Sequence, residues 1–418
     1  MDSFTYHNDI LFAEGISLGQ LAEAAGTPFY CYSHAHLVGQ IEAFDGSLRD
    51  LPHLTCYSVK ASSNLAVLAI MARRGLGFDI VSGGELARCR AAGAEPGKIV
   101  YSGVGKTWGE MRAALEAGIR CFNVESPAEL DQLNQVAGEV GVKAPIALRV
   151  NPDVDPQTHP YISTGLKENK FGISYRKAVA EYQRAAAMAN IAVVGVDCHI
   201  GSQLTKVAPF LDALDRVLVL IAELRAAGIA IRDLDIGGGL GIVYKDEVPP
   251  APQEYARAIR DKVAGSGLTM IFEPGRVLVG NGGCFVTRVL YTKENEGKRF
   301  AIVDGAMNDL VRPALYDAYQ EILPVRRDPS RPRHTTDVVG PICESGDFFA
   351  RHRELPELRP GDLLAVMSAG AYGFSMASTY NTRPRVPEVL VKGDRFHIVR
   401  ARETVEQLMA GENIPNGI

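Results

Sequence analysis

No stretch of the 418 residues is apolar for long enough to span a bilayer, and the first ten, MDSFTYHNDI, lack the charged-then-apolar layout of a secretory signal. A cytoplasmic protein with no membrane partner is expected. C-x-x-C spacing is also missing: the seven cysteines, at 31, 56, 89, 121, 198, 284 and 343, are odd in number and scattered. They support neither a disulfide framework nor a zinc site, and most should be buried apolar fillers. Basic charge is not in excess. With 44 Lys and Arg against 49 Asp and Glu, a net −5, the chain lacks the positive field that a nucleic-acid partner calls for, and a small-molecule ligand is expected instead.

What the chain does have is apolar content. Hydrophobic residues make up 46% and charged residues 22%, which argues against disorder and against a fibrous class. The length is too great for one ordinary core and suits two domains, or a barrel with an appended domain. From about residue 54 to 273, short β-branched runs alternate with longer segments that are apolar at three- and four-residue spacing. The strand candidates are LTCYSV, LGFDIV, KIVYS, IRCFNV, PIALRV, VGVDCHI, RDLDI and TMIFE. Helical patterns such as NLAVLAIMARRG, GELARCRAAG, AELDQLNQVAGEVG, FLDALDRVLVLIAELRAAG and EYARAIRDKVAGSG lie between them, often closed by glycine.

Eight βα units in this length predict a closed (β/α)8 TIM barrel over 33–277, with an open doubly wound sheet as the alternative. Beyond 278 the pattern changes to short alternating strands, as in GGCFVTRVLYTKENEGKRFAIVD and DLLAVMSAGAYG. A second, mainly β domain is expected from 278–418 together with 1–32.

In such a barrel, chemistry sits at the carboxyl ends of the strands. Lys60 ends the first, Asp79 lies on the second before VSGGE, and the fifth contributes Arg149 and Asn151. His199 and GSQ follow the sixth, GGGLG the seventh, and Glu273 with PGR the eighth. Each alone has an ordinary explanation: a solvated rim lysine, a satisfied histidine, a glycine turn, an aspartate capping the helix near Ser82. Their coincidence on one face is harder to dismiss.

Three of these features suit one ligand. Consecutive glycines after LDI let backbone N–H groups converge as a phosphate nest. A lysine at an apolar strand end can be nucleophilic enough to form an imine with an aldehyde. An acidic residue on the far strand, Glu273, can keep a heteroaromatic nitrogen protonated. Phosphate, aldehyde and ring nitrogen together describe pyridoxal 5'-phosphate.

YSVKAS, FDIVSGGE, HPYISTGLKENKFGI, CHIGSQ, IGGGLG, EPGR, MNDLVRPALYDAYQEI, CESGD and GAYGFSMASTYN, in this order, resemble the diaminopimelate decarboxylases. Several blocks are shared with the wider alanine-racemase-like decarboxylases of ornithine and arginine, while CESGD and MNDLVRPALY favour diaminopimelate. The resemblance implies a barrel of the alanine-racemase-like type and a decarboxylase that produces L-lysine. It implies that Lys60 carries the cofactor and that His199 stacks on its ring. Ser202, Gly239 and the block Glu273, Gly275 and Arg276 would hold phosphate and ring, with Tyr372 touching cofactor and substrate. Arg276, Arg312 and Tyr316 would bind the distal carboxylate and Glu344 the distal ammonium. Cys343 would supply the proton after carbon dioxide leaves. The resemblance also implies a homodimer in which Cys343 and Glu344 reach the partner's site, and a lid near HPYISTGLKENKFG. Asp79 remains a supporting candidate, and Arg149 either orients the cofactor's phenolic oxygen or pairs with an acidic neighbour.

Overall fold

A computed structural model describes residues 3–152, 154 and 170–417. The expected lid segment falls almost wholly outside these residues. The chain divides into two compact units, one of residues 39–243 and 247–278, the other of residues 1–38, 244–246 and 279–418.

The first unit is a closed barrel of eight parallel strands: β1 (His53–Ser58), β2 (Gly77–Ile80), β3 (Ile99–Tyr101), β4 (Cys121–Val124), β5 (Ala144–Asn151), β6 (Ile191–Asp197), β7 (Asp233–Asp235) and β8 (Thr269–Phe272). Each pairs with the next, and β8 returns to β1, so no edge is left and the open-sheet alternative is excluded. Strands β2, β3 and β4 are buried at every position, as parallel strands covered on both faces must be.

Local chemistry sets where the helices start and stop. Asn64, Ser82 and Ser126 each accept a backbone N–H of the first turn, and Thr107 forms a reciprocal capping box with Glu110. Gly118 and Gly141 end their helices in the left-handed conformation, at φ 72° and 79°.

Side chains alternate along a strand, so the barrel interior is built in layers. Cys56, Val100, Cys121, Ala147, Val194 and Ile271 form one apolar layer. Two residues further on, along β1, β4 and β5 and just past the ends of β3 and β8, stand Ser58, Asn123, Arg149, Ser102 and Glu273, all buried. On β6 the register shifts between Val193 and Gly195, so the residue at this polar level is Asp197, three positions after Val194. A dry floor thus lies directly beneath a polar layer.

The second unit is β-rich. Its main sheet runs, by neighbouring strands, through 348–356, 333–339, 298–303, 283–295, 29–33, 388–392 and 395–400, with 363–366 also on 283–295 and 322–324 on 363–366. The N-terminal strand Phe29–Ser33 is enclosed between Gly283–Asn295 and Glu388–Lys392. A core of Leu11, Leu18, Leu21, Phe29, Cys31, Cys284, Val286 and Val389 joins both ends of the sequence. Six of the seven cysteines are buried, and Cys343 is exposed.

Outside the barrel wall, Phe272 packs edge-on against Phe44 and Tyr255, each with ring centres 6.1 Å away. Phe272→Ala is expected to destabilise the barrel by about 3–5 kcal/mol, read as unfolding at lower urea concentration. Val248→Ala, at a position 85% exposed, should leave the transition unmoved.

Candidate active site at the carboxyl ends of the barrel strands

Strand β1 stops at Ser58, and a single 3-10 turn, Val59–Ala61, carries Lys60. The surroundings expected for this lysine were apolar; instead its Nζ donates to Asp79 Oδ2 at 2.9 Å, and Asp79 is fully buried. Ser58 Oγ donates to the same oxygen at 2.7 Å. Asp79 therefore does not cap the following helix, a task that Ser82 performs. Its Oδ1 has no hydrogen-bond partner among the described residues.

At the end of β5, Arg149 Nη1 donates to Glu125 Oε1 at 2.8 Å, and the guanidinium lies over the Phe171 ring. Arg149 thus pairs with an acidic neighbour while its buried Nη2 has no partner among the described residues. Past β6, His199 Nδ1 accepts the Gly238 N–H at 3.2 Å, which leaves the neutral ring's proton on Nε2. Burial, then the charges of Arg149 and Lys60, hold its pKa well below the usual histidine value, so the ring is neutral at pH 7.

The glycine run after β7 is there because nothing larger fits. A Cβ on Gly237 would fall 2.4 Å from His199 Nδ1, on Gly238 2.1 Å from the Glu273 carbonyl oxygen, and on Gly239 2.5 Å from the Gly201 carbonyl oxygen. Gly237 and Gly239 also have φ of +68° and +116°. Leu204 ties the loop after β6 to this run through Leu204 N to Gly239 O and Gly241 N to Leu204 O, both 2.9 Å. Beyond β8, Arg276 Nη2 donates to Ser202 Oγ at 3.0 Å, with Gly275 beside it in the chain.

Four carboxyl groups, Asp79, Asp197, Asp235 and Glu273, are almost wholly buried in this one polar layer. Burial first, then Asp235 and the other acids, pushes Glu273 well above the usual carboxyl range, against the pull of Lys60. Asp197 is raised in the same way, and Asp235 is pushed up to about 6, chiefly by burial. Sequence reading overlooked Asp197, Asp235, Asn123 and Ser102. Their signal was a polar residue inside an otherwise apolar strand, as in VGVDCHI and CFNV.

Lys60, His199, Ser202, Gly239, Glu273, Gly275 and Arg276 thus gather at one end of the barrel. Arg312, Tyr316, Cys343, Glu344 and Tyr372 belong to the β-rich unit. There Arg312 begins the short helix Arg312–Tyr316, is buried, and stacks 4.5 Å over the Tyr244 ring; Tyr316 is half-buried. Cys343 and Glu344 sit on an exposed turn. The buried Asp347 shapes this turn by accepting the Ile342 N–H, while Cys343 N–H donates to Asn381 Oδ1. Ser368, Tyr372, Asn381 and Thr382 all have positive φ, between 54° and 56°. A run of such residues within fifteen positions marks a segment whose shape is imposed by its surroundings.

An unpartnered buried guanidinium nitrogen, a glycine cradle with no room for a Cβ, and an amine at the barrel rim fit a ligand that is at once phosphate, heteroaromatic and aldehyde. These are the groups that a pyridoxal-phosphate-dependent enzyme on an eight-stranded barrel calls for. Residues 34–280 match the family described as "Pyridoxal-dependent decarboxylase, pyridoxal binding domain". Diaminopimelate decarboxylase of Pseudomonas aeruginosa is 59% identical over 99% of both chains, and that of Vibrio cholerae is 57% identical over 99% of both. Among solved structures, diaminopimelate decarboxylase of Helicobacter pylori complexed with L-lysine is 42% identical, with a TM-score of 0.91 over 94% of this chain and 98% of that one. The enzyme of M. jannaschii, in co-complex with L-lysine, is 38% identical with a TM-score of 0.93, covering 99% and 98%. The chain belongs to the diaminopimelate decarboxylase family.

A pH dependence follows from the crowded acids. Asp235 binds its proton more tightly folded, at about 6, than at its ordinary 3.8. It therefore imposes no penalty below 3.8, and a growing penalty as pH rises through 6. The cofactor-free chain should lose stability over this window in urea titrations, and Asp235→Asn should flatten that loss.

Proposed function

We propose that this chain decarboxylates meso-2,6-diaminopimelate to L-lysine and carbon dioxide, the last step of lysine biosynthesis, with pyridoxal 5'-phosphate as cofactor. What supports the choice of substrate is that the chain keeps, at Arg276 and Arg312, the two arginines that its resemblance to the diaminopimelate decarboxylases assigns to the distal carboxylate, each of them buried. A substrate with a second carboxylate satisfies such groups, whereas lysine or ornithine would leave them without their anion.

The bound cofactor supplies an electron sink for the pair left behind when carbon dioxide departs. The chain's residues do the rest. Lys60 is the amine that anchors the cofactor, and Asp79 holds that amine in place before it is engaged. Glu273 would face the ring nitrogen and keep it protonated, and the neutral His199 would offer a flat, uncharged face to the ring. Ser202, Gly239, Gly275 and Arg276 take the phosphate and ring, and Tyr372 touches cofactor and substrate. Arg276, Arg312 and Tyr316 bind the distal carboxylate, and Glu344 binds the distal ammonium. The Cys343 thiol delivers a proton to the carbon that lost carbon dioxide.

The enzyme works as a cytoplasmic homodimer, with Cys343 and Glu344 of each copy serving the other's site. Their exposure on the chain supports this reading. Among the described residues, no helix is long and apolar enough to cross a membrane.

Product analysis with meso-diaminopimelate and ornithine in parallel tests the substrate: lysine should form from the first, and turnover of ornithine should be at least a hundredfold slower. Comparable rates on both would overturn it. Lys60→Ala should abolish turnover together with the visible absorption band that borohydride bleaches. Cys343→Ala should slow turnover by a factor of about 10²–10⁴ while leaving that band intact.

A further inference from the structure

Glu273 does not stand alone. Its Oε1 lies 3.3 Å from Ser102 Oγ and 3.4 Å from Asn123 Nδ2, both buried in the barrel interior. The same amide nitrogen reaches Ser102 Oγ at 3.1 Å and Asp235 Oδ2 at 3.4 Å. The other Asp235 oxygen accepts the N–H of Gly237 at 2.8 Å, at the start of the glycine cradle. Asn123 on β4 and Asp235 on β7 therefore join the acid on β8 to the backbone that receives the phosphate.

We propose that Asn123 and Asp235 are positioning residues that clamp the Glu273 carboxyl in one orientation, so that its proton is presented to the ring nitrogen of the cofactor. The proposal rests on Glu273 facing that nitrogen. The Asn123 amide nitrogen thus lies within 3.4 Å of one oxygen of each carboxyl and bridges Asp235 to Glu273. Burial, then the neighbouring Asp235, raises the Glu273 carboxyl well above its usual range and so favours its protonated form. An asparagine rather than a third acid at position 123 fits this arrangement: its amide can donate to both carboxyls, whereas another carboxylate would repel them. A buried carboxyl with no such partners could turn its oxygens away from the ring, and the ring nitrogen would then meet no proton.

The test compares binding of pyridoxal phosphate with that of its deaza analogue, in which a CH replaces the ring nitrogen, measured by fluorescence titration of the cofactor-free chain. Asn123→Ala and Asp235→Asn should each weaken pyridoxal phosphate by roughly tenfold and leave the deaza analogue within about twofold. A general structural role would weaken both ligands alike, and that outcome overturns the proposal. Glu273→Gln is the reference. If it fails to distinguish the two ligands, Glu273 does not face the nitrogen, and the proposal falls with that reading. If it distinguishes them and the Asn123 and Asp235 variants do not, only the positioning proposal falls. Should a single variant not fold, the exchanged double variant Asn123→Asp with Asp235→Asn keeps both the amide and the charge. It should restore discrimination, and equal loss of both ligands there counts against the proposal.

Discussion

Carboxylates repel one another and lose hydration when buried, yet this barrel holds Asp79, Asp197, Asp235 and Glu273 in a single layer. That is tolerable only because protons and cations are held there too. Lys60 pairs with Asp79, and Arg149 lies near enough to Asp197 to ease its charge. Burial, then the neighbouring acids, raises Glu273 well above the usual carboxyl range and so favours its protonated form. The cluster is thus a constraint that other features satisfy. It is met by a lysine just past the end of β1, a guanidinium at the end of β5 and an amide from β4.

The apolar floor makes that layer effective. Cys56, Val100, Cys121, Ala147, Val194 and Ile271 close the barrel below, so the polar layer cannot be hydrated from that side. Electrostatic interactions are therefore strong there, and small differences in orientation matter. The glycine run above completes the enclosure. Because a Cβ on Gly238 would meet the Glu273 carbonyl oxygen and one on Gly237 would meet His199, the glycine run is held closely against both residues.

Much of this was legible in the sequence, for identifiable reasons. Alternating strand and helix patterns fix connectivity, whereas the cap of the helix after β2, expected at Asp79, falls to Ser82. Lys60, His199 and Glu273 were visible because each lies at or just past a strand end, where function is expected. Asp197, Asp235 and Asn123 were not. They sit within or at the tips of strands, where a polar residue usually signals nothing, and their meeting depends on barrel closure and on the register shift in β6. The stacking of Arg312 on Tyr244 was equally hidden, since the two are remote in the chain. So was the left-handed backbone of Tyr372, which no residue other than glycine advertises.

The sequence by itself determined the order of the elements, the lysine just past β1, the glycine run and the family, because these depend on periodicity, on residue type and on short contiguous motifs. Tertiary structure alone decided which acids face one another, where Lys60 finds its counter-charge, and which nitrogen of His199 carries a proton. Those outcomes depend on distances across the barrel. Such distances arise only when β8 pairs with β1 and brings residues far apart in the chain to the same height in one enclosed layer.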